Sequence, residues 1–536
     1  MSDDIDIILG IDLGTTFSAV AAMNAHAKPQ MVPNSEGRRT TPSVVFFQED
    51  GTPIVGELAR NQALVDPTRT VQFIKREMGN PSFRLNIDGL EYYPEGISAL
   101  ILKKLRTDAE AALGKEITRA VISVPAYFKD AQRRATQVAG EIAGLEVVAI
   151  INEPTAAALA YGFGKQTVRQ NLLVYDFGGG TFDVTILRVE GNEFTVLATD
   201  GDSHLGGIDV DQRLVDYMAE QFLAQHKTDL RVDPYTRQDL LERAERAKID
   251  LSSRQSVMVT LAQGSAAMRL DLSREQLAEL TADLVQRTAD CMLKALGSAG
   301  LTWQDIDVVL LAGGSSRMIC VRELLRQVSG KEPSLDINPD ECVALGAAIR
   351  SITADVLEME AGARPANRAP QVTDIVIRDV APHSLGVKAL NADGQPTNSI
   401  IIPRLTPVPC ERRRTYATRV DNQQSIEIEV LQGEDPDPFS PKVDLIGKVE
   451  MRDLPPGLAG EVIVAVTLRY DIDAVVEVVA EELTGGRSVR EQLLQKMGEL
   501  GPEVVESIKA AFEQDAARDE PEAQSHPEEQ PTEAVV

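Results

Sequence analysis

Two short stretches of the chain combine carboxylates, glycines and threonines in a spacing that suits phosphate chemistry. The first reads IDLGTTFSAV and contains Asp12, Gly14, Thr15 and Thr16, and the second reads DFGGGTFDV and contains Asp176, Gly178, Gly179, Gly180 and Thr181. Glycine has no Cβ, so successive backbone N–H groups can converge on an anion, and threonine adds a hydroxyl donor. Phosphate is therefore the predicted ligand, although an isolated glycine-rich turn is more often an ordinary surface loop.

Each of the two turns is flanked by apolar runs rich in β-forming residues, which predicts a β-hairpin with a polar tip. The hairpins are 164 residues apart (176 minus 12), which indicates a duplicated half-domain with one phosphate loop per half facing a shared cleft. Asp176 and Asp183 would repel a bound polyphosphate unless a divalent cation lies between them. Neither stretch follows the P-loop or the dinucleotide-binding glycine pattern.

Other charged residues follow predicted strands or share a helix face. Glu153 lies at a strand-to-helix corner, where α/β proteins place working residues. Lys75 follows an apolar, strand-like run, but on local evidence a solvated surface lysine is the more common case. Glu245, Lys248 and Ser252 recur at spacings of three and four, so they share one helix face, for which a solvent-exposed charged stripe is the default.

A third glycine turn, LAGGSSR, follows a buried strand and ends at Arg317. Its glycines allow a flat ligand to approach the backbone, and the Arg317 guanidinium could stack on a base.

The bulk composition excludes several classes of protein. With 536 residues the chain has room for three or four domain-sized units, and its formal charge of −28 argues against a nucleic-acid partner. The sequence has no basic-then-apolar leader and no uninterrupted run of about 20 apolar residues, so neither secretion nor a membrane partner is expected. The four cysteines form no CxxC pair and are expected to be reduced core residues of a cytoplasmic protein: Cys291, Cys320, Cys342 and Cys410.

Changes in residue composition and in hydrophobic pattern along the chain predict the domain boundaries. Residues 360–371 are small, polar and proline-bearing, and after them come short alternating strands with Pro and Gly turns, which predict an antiparallel β-sandwich. The predicted order is an α/β domain over 1–370, a linker over 371–379, the sandwich over 380–480, a short helical segment over 481–514 and a disordered acidic tail over 515–536.

Six segments in this order closely resemble the seventy-kilodalton heat-shock chaperones of the DnaK type. They read IDLGTTFSAV, VISVPAYFKDAQR, INEPTAAALAYG, DFGGGTFDV, LAGGSSR and INPDECVALGAA, and the resemblance covers residues 5 to about 480. It implies an actin-like ATPase domain of the duplicated ribonuclease H type, followed by a β-sandwich that binds extended apolar peptide segments. ATP binding and hydrolysis would control the peptide affinity.

The resemblance also implies roles for individual residues. ATP or ADP with Mg²⁺ would be held by Asp12, Gly14, Thr15, Thr16, Gly178, Gly179, Gly180, Thr181, Glu245, Lys248, Ser252, Gly314, Ser315, Arg317 and Asp340. Asp12 and Asp176 would bind the metal mostly through its waters. Hydrolysis would be carried by Lys75, Glu153, Asp176 and Thr181. The peptide channel would be lined by Val387, Leu390, Tyr416, Ile426 and Ile428, and communication between domains would use Pro125, Arg133, Asn152 and Asp379.

Several features depart from the usual DnaK pattern, and these resemble a short, specialised bacterial branch of the family typified by HscC. The segment after 480 has room for only a truncated helical lid, so fast peptide exchange is expected. The loop around Ala262 to Met268 lacks the long insertion used by the bacterial exchange factor, which makes dependence on that factor doubtful. Asn152 and Asp379 remain, so a J-domain co-chaperone is an expected partner. An actin-like filament protein or a sugar kinase would not explain the sandwich, whereas a regulator of one dedicated client remains an open alternative.

Overall fold

The computed structural model describes residues 7–165, 168–360, 375–471, 476–485 and 488–492, together with three helical residues, Glu503, Val505 and Glu506. The chain divides into two compact units, Met1–Glu499 and Leu500–Val536. The predicted acidic tail and most of the predicted helical segment lie outside the described residues. No helix in the described ranges is long and apolar enough to cross a membrane.

The elements are numbered here in chain order. The strands are β1 (Ile8–Asp12), β2 (Phe17–Met23), β3 (Pro29–Val32), β4 (Thr40–Pro42), β5 (Val44–Phe47), β6 (Pro53–Val55), β7 (Thr70–Gln72), β8 (Leu85–Ile87), β9 (Leu90–Tyr92), β10 (Arg119–Val124), β11 (Glu146–Asn152), β12 (Gln170–Phe177), β13 (Phe182–Glu190), β14 (Glu193–Asp202), β15 (Ser256–Gln263), β16 (Ala266–Ser273), β17 (Val308–Ala312), β18 (Val376–Arg378), β19 (Leu385–Leu390), β20 (Pro396–Ile402), β21 (Cys410–Ala417), β22 (Ser425–Gln432), β23 (Asp444–Arg452), β24 (Ile463–Tyr470), β25 (Val476–Glu482) and β26 (Ser488–Gln492). The α-helices are α1 (Glu57–Gln62), α2 (Pro94–Leu113), α3 (Asp130–Ile142), α4 (Glu153–Gly162), α5 (Gly207–His226), α6 (Pro234–Leu251), α7 (Arg274–Leu280), α8 (Ala282–Ala299), α9 (Ile319–Ser329) and α10 (Cys342–Glu360). Short 3-10 helices cover Pro67–Arg69, Ile74–Glu77, Trp303–Asp305 and Gly314–Arg317.

Two sheets repeat one pattern and confirm the predicted duplication. The first sheet has the order β11-β10-β1-β2-β3, and the second has the order β17-β12-β13-β14-β18. In each, a three-stranded antiparallel meander carries one parallel strand beside its first strand: β10 beside β1, and β17 beside β12. The predicted hairpins are β1–β2 and β12–β13, and their tips are the two glycine-threonine turns.

Small residues allow α10 to lie directly against its neighbours. A Cβ on Gly346 would lie 1.8 Å from the carbonyl oxygen of Ala156 in α4, and a Cβ on Gly10 would lie 2.1 Å from the backbone nitrogen of Ala348. Any larger side chain at either glycine would push α10 away from α4 and β1. This close packing fixes the start of α10, and with it Asp340 two residues earlier, relative to the tip of the first hairpin.

The predicted linker contributes a strand to the second sheet. Strand β18 pairs in parallel with β14, with Val376 opposite Glu193 and Arg378 opposite Thr195. The guanidinium Nε of Arg378 lies 2.6 Å from the Glu193 carboxylate. Arg378, which follows the apolar residues of β18, is therefore ion-paired at the edge of the sheet. Strand β18 ends directly before Asp379.

The C-terminal part is the predicted antiparallel β-sandwich. Its sheets have the orders β20-β19-β22-β23 and β21-β24-β25-β26, and their apolar faces form one core. The expectation of helix from residue 481 is wrong for the first part of that segment, because β25 continues to Glu482 and β26 covers Ser488–Gln492. Val476, Val478 and Ala480 are buried at every second position, and this period of two carries the strand past the predicted boundary.

Candidate functional site

A cavity of about 420 Å³ lies between the two duplicated sheets. Its volume is within the range of small-molecule sites, about 300–1,000 Å³. The predicted residues that line it are Asp12, Gly14, Thr15, Thr16, Lys75, Glu153, Asp176, Gly178, Gly179, Thr181, Glu245, Lys248, Ser252, Gly314, Ser315, Arg317 and Asp340. The fold therefore brings together in one cleft residues that are more than 300 positions apart in the sequence.

The two glycine-threonine turns face each other across the cleft. A Cβ on Gly179 would lie 2.5 Å from Oγ1 of Thr16, and a Cβ on Gly180 would lie 2.5 Å from Oγ1 of Thr15. Within the described residues, the N–H groups of Gly179 and Gly180 donate to no protein acceptor. Such adjacent free N–H groups form a concave site for an anion. Gly180 itself does not line the cavity, and its carbonyl oxygen accepts from Arg76 at 2.8 Å.

Three carboxylates lie next to these turns, of which Asp176 and Asp183 are buried and Asp12 is half-buried. Burial, and then the nearby charge of Glu153, raise the pKa of Asp12 to about 7 and that of Asp183 to about 7. Burial, followed by Glu153 and Asp183, also raises the pKa of Asp176 well above its ordinary value. The ammonium of Lys75 opposes these shifts but does not cancel them. The cleft thus holds more negative charge than its one buried ammonium compensates, and a cation would relieve the imbalance.

The carboxylates fit a hydrated divalent ion. Oδ2 of Asp176 is buried without a hydrogen-bond partner, and Oδ1 of Asp12 accepts from Ser123 at 3.2 Å. Within the described residues no cluster of three or more ligating side chains could enclose a metal directly. Mg²⁺ usually keeps several waters and binds one or two protein carboxylates, so the donor set matches this ion.

Lys75 and Glu153 form a buried ion pair beside the phosphate turns. Nζ of Lys75 lies 2.5 Å from Oε1 of Glu153, and the two side chains are only 6% and 9% exposed. Lys75 lies in the 3-10 helix Ile74–Glu77, and Glu153 begins α4 at the corner after β11. The local expectation of a solvated surface lysine is therefore wrong, because its partner lies 78 residues away in the sequence.

The opposite wall of the cavity comes from α6 and from the turn after β17. Glu245, Lys248 and Ser252 share the face of α6 that lines the cavity, so the solvent-exposed stripe expected by default is wrong for them. Nζ of Lys248 lies 2.6 Å from Asp211 and 3.1 Å from the Gly207 carbonyl oxygen. These bonds hold the ammonium at the cavity edge.

Arg317 is held at the same wall but remains about half exposed. Its guanidinium donates to Asn338 at 2.7 Å and to Asp340 at 2.6 Å. Ser315 donates to the carbonyl oxygen of Gly178 at 2.8 Å, which joins this turn to the second phosphate turn. A planar guanidinium fixed by two acceptors offers a flat face for stacking on a base.

Sequence reasoning missed further lining residues, namely Phe17, Ala19, Thr40, Ile249, Gly313, Met318, Pro339 and Val343. Ile249 could have been found, because it lies four residues after Glu245 on the same helix face. Pro339 and Gly313 adjoin predicted residues. Thr40 gives no local signal, because the pairing of β4 with β2 brings it to the cleft.

A chain of hydrogen bonds connects the corner beside Glu153 with the end of the linker. Arg133 donates to the side-chain oxygen of Asn152 at 2.6 Å, and the amide nitrogen of Asn152 donates to Asp379 at 2.9 Å. Thr155 adds a bond to the same Asp379 oxygen at 3.3 Å. Arg133 also binds the Ala126 and Phe128 carbonyl oxygens, directly after the buried Pro125. The four predicted interdomain residues therefore lie within one buried region.

The sandwich also packs directly on the α/β part through contacts that the sequence did not predict. The amide of Asp130 donates to the side-chain oxygen of Gln432 at 3.0 Å, and Lys129 pairs with Asp444 at 2.8 Å. Arg404 donates to the Thr199 carbonyl oxygen at 2.6 Å and to the Asp200 carboxylate at 2.9 Å. These bonds join residues more than 200 positions apart.

His383 is buried in the same interface. Its Nε2 lies 3.0 Å from the Tyr127 carbonyl oxygen, and its ring contacts the Tyr127 ring edge-on, with centroids 4.4 Å apart. Burial lowers the pKa of His383 below its ordinary value, and Lys129 and Arg404 act in the same direction. Glu434, 4.0 Å away, opposes them without reversing the shift.

The five predicted channel residues lie in the sandwich with unequal burial. Val387 and Ile428 are 3% and 4% exposed, Tyr416 and Ile426 are half-buried against the same core, and Leu390 is 41% exposed. The hydroxyl of Tyr416 lies 3.0 Å from Oγ of Ser399 and so connects β21 with β20. The first four residues therefore share one apolar region, while Leu390 lies at its solvent-exposed end.

The cleft between the duplicated sheets has turns that can bind an anion, carboxylates that fit a hydrated metal ion and a buried Lys–Glu pair, and it is joined to a β-sandwich. This arrangement is expected of a nucleotide-hydrolysing protein with a second binding domain. A family model described as Hsp70 protein matches residues 8–536. The chaperone protein DnaK of Thermosipho melanesiensis is 42% identical over 532 residues, which cover 97% of this chain and 86% of that protein. The chain therefore belongs to the Hsp70 family.

Membership establishes the general activity. The protein is an ATP-dependent molecular chaperone with ATPase activity, and its class of partners includes unfolded peptide segments and J-domain co-chaperones. Hsp70 ATPases bind ATP and ADP, usually with Mg²⁺. Neither comparison distinguishes the HscC-like branch or favours a single dedicated client, so the branch stays a prediction.

Proposed function

We propose that this chain hydrolyses Mg²⁺-bound ATP in the cleft between its two sheets and uses the nucleotide state to set the peptide affinity of the sandwich. The N–H groups of Gly179 and Gly180, together with the N–H groups and hydroxyls of Thr15, Thr16 and Thr181, hold the phosphates, while Gly178 closes the turn by donating its N–H to the Thr181 carbonyl oxygen. Asp12 and Asp176 would hold Mg²⁺ mostly through its waters, and the ion would supply charge neutralisation at the phosphates. Phosphoryl transfer needs mainly positioning and charge stabilisation, so a covalent intermediate is not required.

In this proposal the Lys75–Glu153 pair, with Asp176 and Thr181, orients the attacking water. The Lys75 ammonium holds the Glu153 carboxylate in place, and the carboxylate can accept a hydrogen bond from water beside the phosphates. Glu245, Lys248, Ser252, Gly314, Ser315, Arg317 and Asp340 surround the adenosine. The flat guanidinium of Arg317, fixed by Asn338 and Asp340, supports a stacking role.

One observation carries the proposed coupling between the two domains. Glu153 lines the nucleotide cavity, and its immediate neighbour Asn152 binds Asp379 at the entrance to the sandwich. A nucleotide that moves the start of α4 therefore also moves a contact of the sandwich. ATP can favour the docked arrangement only by the difference in its affinity for the docked and undocked arrangements.

A glutamine in place of Glu153 tests the catalytic part. Glu153→Gln keeps the shape but removes the charge, so ATP hydrolysis should fall about 100-fold or more while calorimetric Mg²⁺-ATP affinity stays within about tenfold. Glu146→Gln changes an exposed glutamate at the start of β11, the strand that directly precedes Glu153, and is the matched control. Hydrolysis close to that of the control would refute the role of Glu153, and no heat of binding in any variant would refute the nucleotide site.

Two finer points of the proposal concern partners and location. The turn between β15 and β16 contains only two residues, 264 and 265, which supports nucleotide release without the bacterial exchange factor. ADP release that requires an added exchange factor would contradict this. The four cysteines, free and buried or half-buried, support a reducing, cytoplasmic compartment.

A further inference from the structure

The edge strands β20 and β21 lie side by side at one margin of the sandwich. Among the described residues, β21 pairs only with β24 and β20 pairs only with β19, so each ends its sheet. Arg414 donates to the Ile400 carbonyl oxygen at 3.1 Å and Tyr416 bonds to Ser399, which connects the two edges. An open strand edge presents N–H and C=O groups that can pair with an extended peptide.

Strand β21 carries three consecutive arginines that divide between its two faces. Arg412 is opposite Leu468 and Arg414 is opposite Val466, and both partners are buried in the sandwich core. Side chains of directly opposed residues project to the same side of a sheet, so these two arginines lie on the inner side, as does Tyr416. Arg413 lies on the outer side.

The two faces of β21 also differ in their ion pairs. On the outer side Arg413 pairs with Glu481 at 2.7 Å, and the Glu411 carboxylate pairs with Arg469 at 2.6 Å. Arg412 and Arg414 have no carboxylate within 4.0 Å among the described residues, and their guanidinium groups donate only to backbone carbonyl oxygens. Both side chains are exposed. The inner side of this edge is thus a cationic site in a chain with 82 acidic and 54 basic residues.

We propose that the peptide segments bound at this edge carry acidic side chains beside their apolar residues. The inference rests on the proposed peptide-binding function and specifies its substrate class. Tyr416 offers an apolar contact. Arg414 and Arg412 precede it in β21 by two and four residues, which places them at intervals of about 7 Å along the strand. An extended segment with an apolar residue opposite Tyr416 therefore presents its side chains two and four positions away to the two guanidinium groups. Carboxylates at those positions can form paired hydrogen bonds with arginine.

Three labelled peptides with one apolar core test this proposal. The core is flanked by aspartate and glutamate, by glutamine, or by lysine, and binding to the full chain with ADP and Mg²⁺ is measured by fluorescence anisotropy. Two exposed ion pairs predict about 2- to 30-fold tighter binding of the acidic peptide than of the glutamine peptide, and weaker binding of the lysine peptide. The preference should shrink between about 50 mM and about 500 mM salt, because screening weakens exposed charge pairs.

Variants of β21 assign the preference to the inner arginines. The double variant Arg412→Gln with Arg414→Gln should lose the preference for the acidic peptide over the glutamine peptide, and its remaining binding of the glutamine peptide shows that the sandwich is folded. Arg413→Gln removes the outer arginine of the same strand and should retain the preference. Equal binding of the three peptides, or a preference that survives the double variant, would overturn the inference. No binding of any peptide would instead overturn the proposed peptide-binding function, and this inference with it.

Discussion

The contact between Arg404 and Asp200 offers a test of how firmly the sandwich is held against the α/β part. In Arg404→Ala the Asp200 carboxylate, whose side chain is 5% exposed, loses its guanidinium partner, whereas the undocked arrangement returns Asp200 to water. Removing one partner of a buried, hydrogen-bonded charge pair costs about 2–5 kcal/mol. Because the Arg404 side chain is 24% exposed, we expect the lower part of that range, about 2–3 kcal/mol. The docking equilibrium should then fall about 30- to 150-fold.

Hydrogen exchange at the start of α3 measures this equilibrium directly. The amide of Asp130 donates to Gln432 only when the sandwich is docked. If docking is fast relative to exchange, protection of this amide should decrease by the same factor as the equilibrium. Measurements with ATP and Mg²⁺ should therefore show faster exchange in the segment around Asp130, and ATP should accelerate peptide release less than in the parent protein.

Two further variants separate this explanation from a general loss of structure. Arg452→Ala removes an exposed arginine of the sandwich that pairs with Glu450 and should leave exchange at Asp130 unchanged. Adding Asp200→Asn to Arg404→Ala replaces the unpaired buried charge by a neutral amide and should recover part of the protection. Unchanged exchange in Arg404→Ala, or no recovery in the double variant, would refute the reasoning from an uncompensated buried charge.

Two other predictions concern the phosphate turn and the buried histidine. Gly179→Ala introduces a methyl group 2.5 Å from Oγ1 of Thr16, so Mg²⁺-ATP affinity measured by calorimetry should fall about tenfold or more. Gly297→Ala, where no neighbour lies within 4 Å, is the control. Equal affinities of the two variants would contradict the proposed contact between the turns. The lowered pKa of docked His383 means that its contribution to docking is complete above its ordinary pKa of 6.5 and is lost as the pH falls below that value. Acidification should therefore weaken docking more in the parent protein than in His383→Gln, as measured by exchange at Asp130, and identical pH profiles would refute this.

The sequence was most informative where function depends on local geometry. The apolar runs of β-forming residues around Asp12 and Asp176 predicted both hairpins, and the glycine-threonine turns predicted their role at a shared cleft. The three- and four-residue spacing of Glu245, Lys248 and Ser252 predicted a common face, although only the fold shows that this face lines the cavity. A local pattern therefore reveals which residues act together but not what they face.

Long-range contacts explain what the sequence could not provide. The burial of Lys75 depends on Glu153, and the contact of His383 depends on Tyr127, 256 residues earlier. No periodicity links such pairs, because their proximity follows from how whole sheets pack. The predicted end of the sandwich at residue 480 is wrong for a different reason. The pairing of β26 with β25 makes the first part of the predicted helical segment a strand.

The internal duplication also indicates which strands connect the nucleotide cleft with the start of the sandwich. Four strands of each sheet correspond to one another, β10-β1-β2-β3 in the first and β17-β12-β13-β14 in the second. The strands without a counterpart are β11 beside β10 and β4 beside β2 in the first sheet, and β18 beside β14 in the second. Strands β11 and β18 both run parallel to their neighbours, so both run towards the end of their sheet that carries the cleft, although β18 pairs only with the first residues of β14. Strand β11 ends at Asn152 and β18 is followed by Asp379, and these two residues are hydrogen-bonded to each other. The corresponding strands thus carry the phosphate turns, whereas β11 and β18, which have no counterpart, lead to the Asn152–Asp379 hydrogen bond directly before the sandwich.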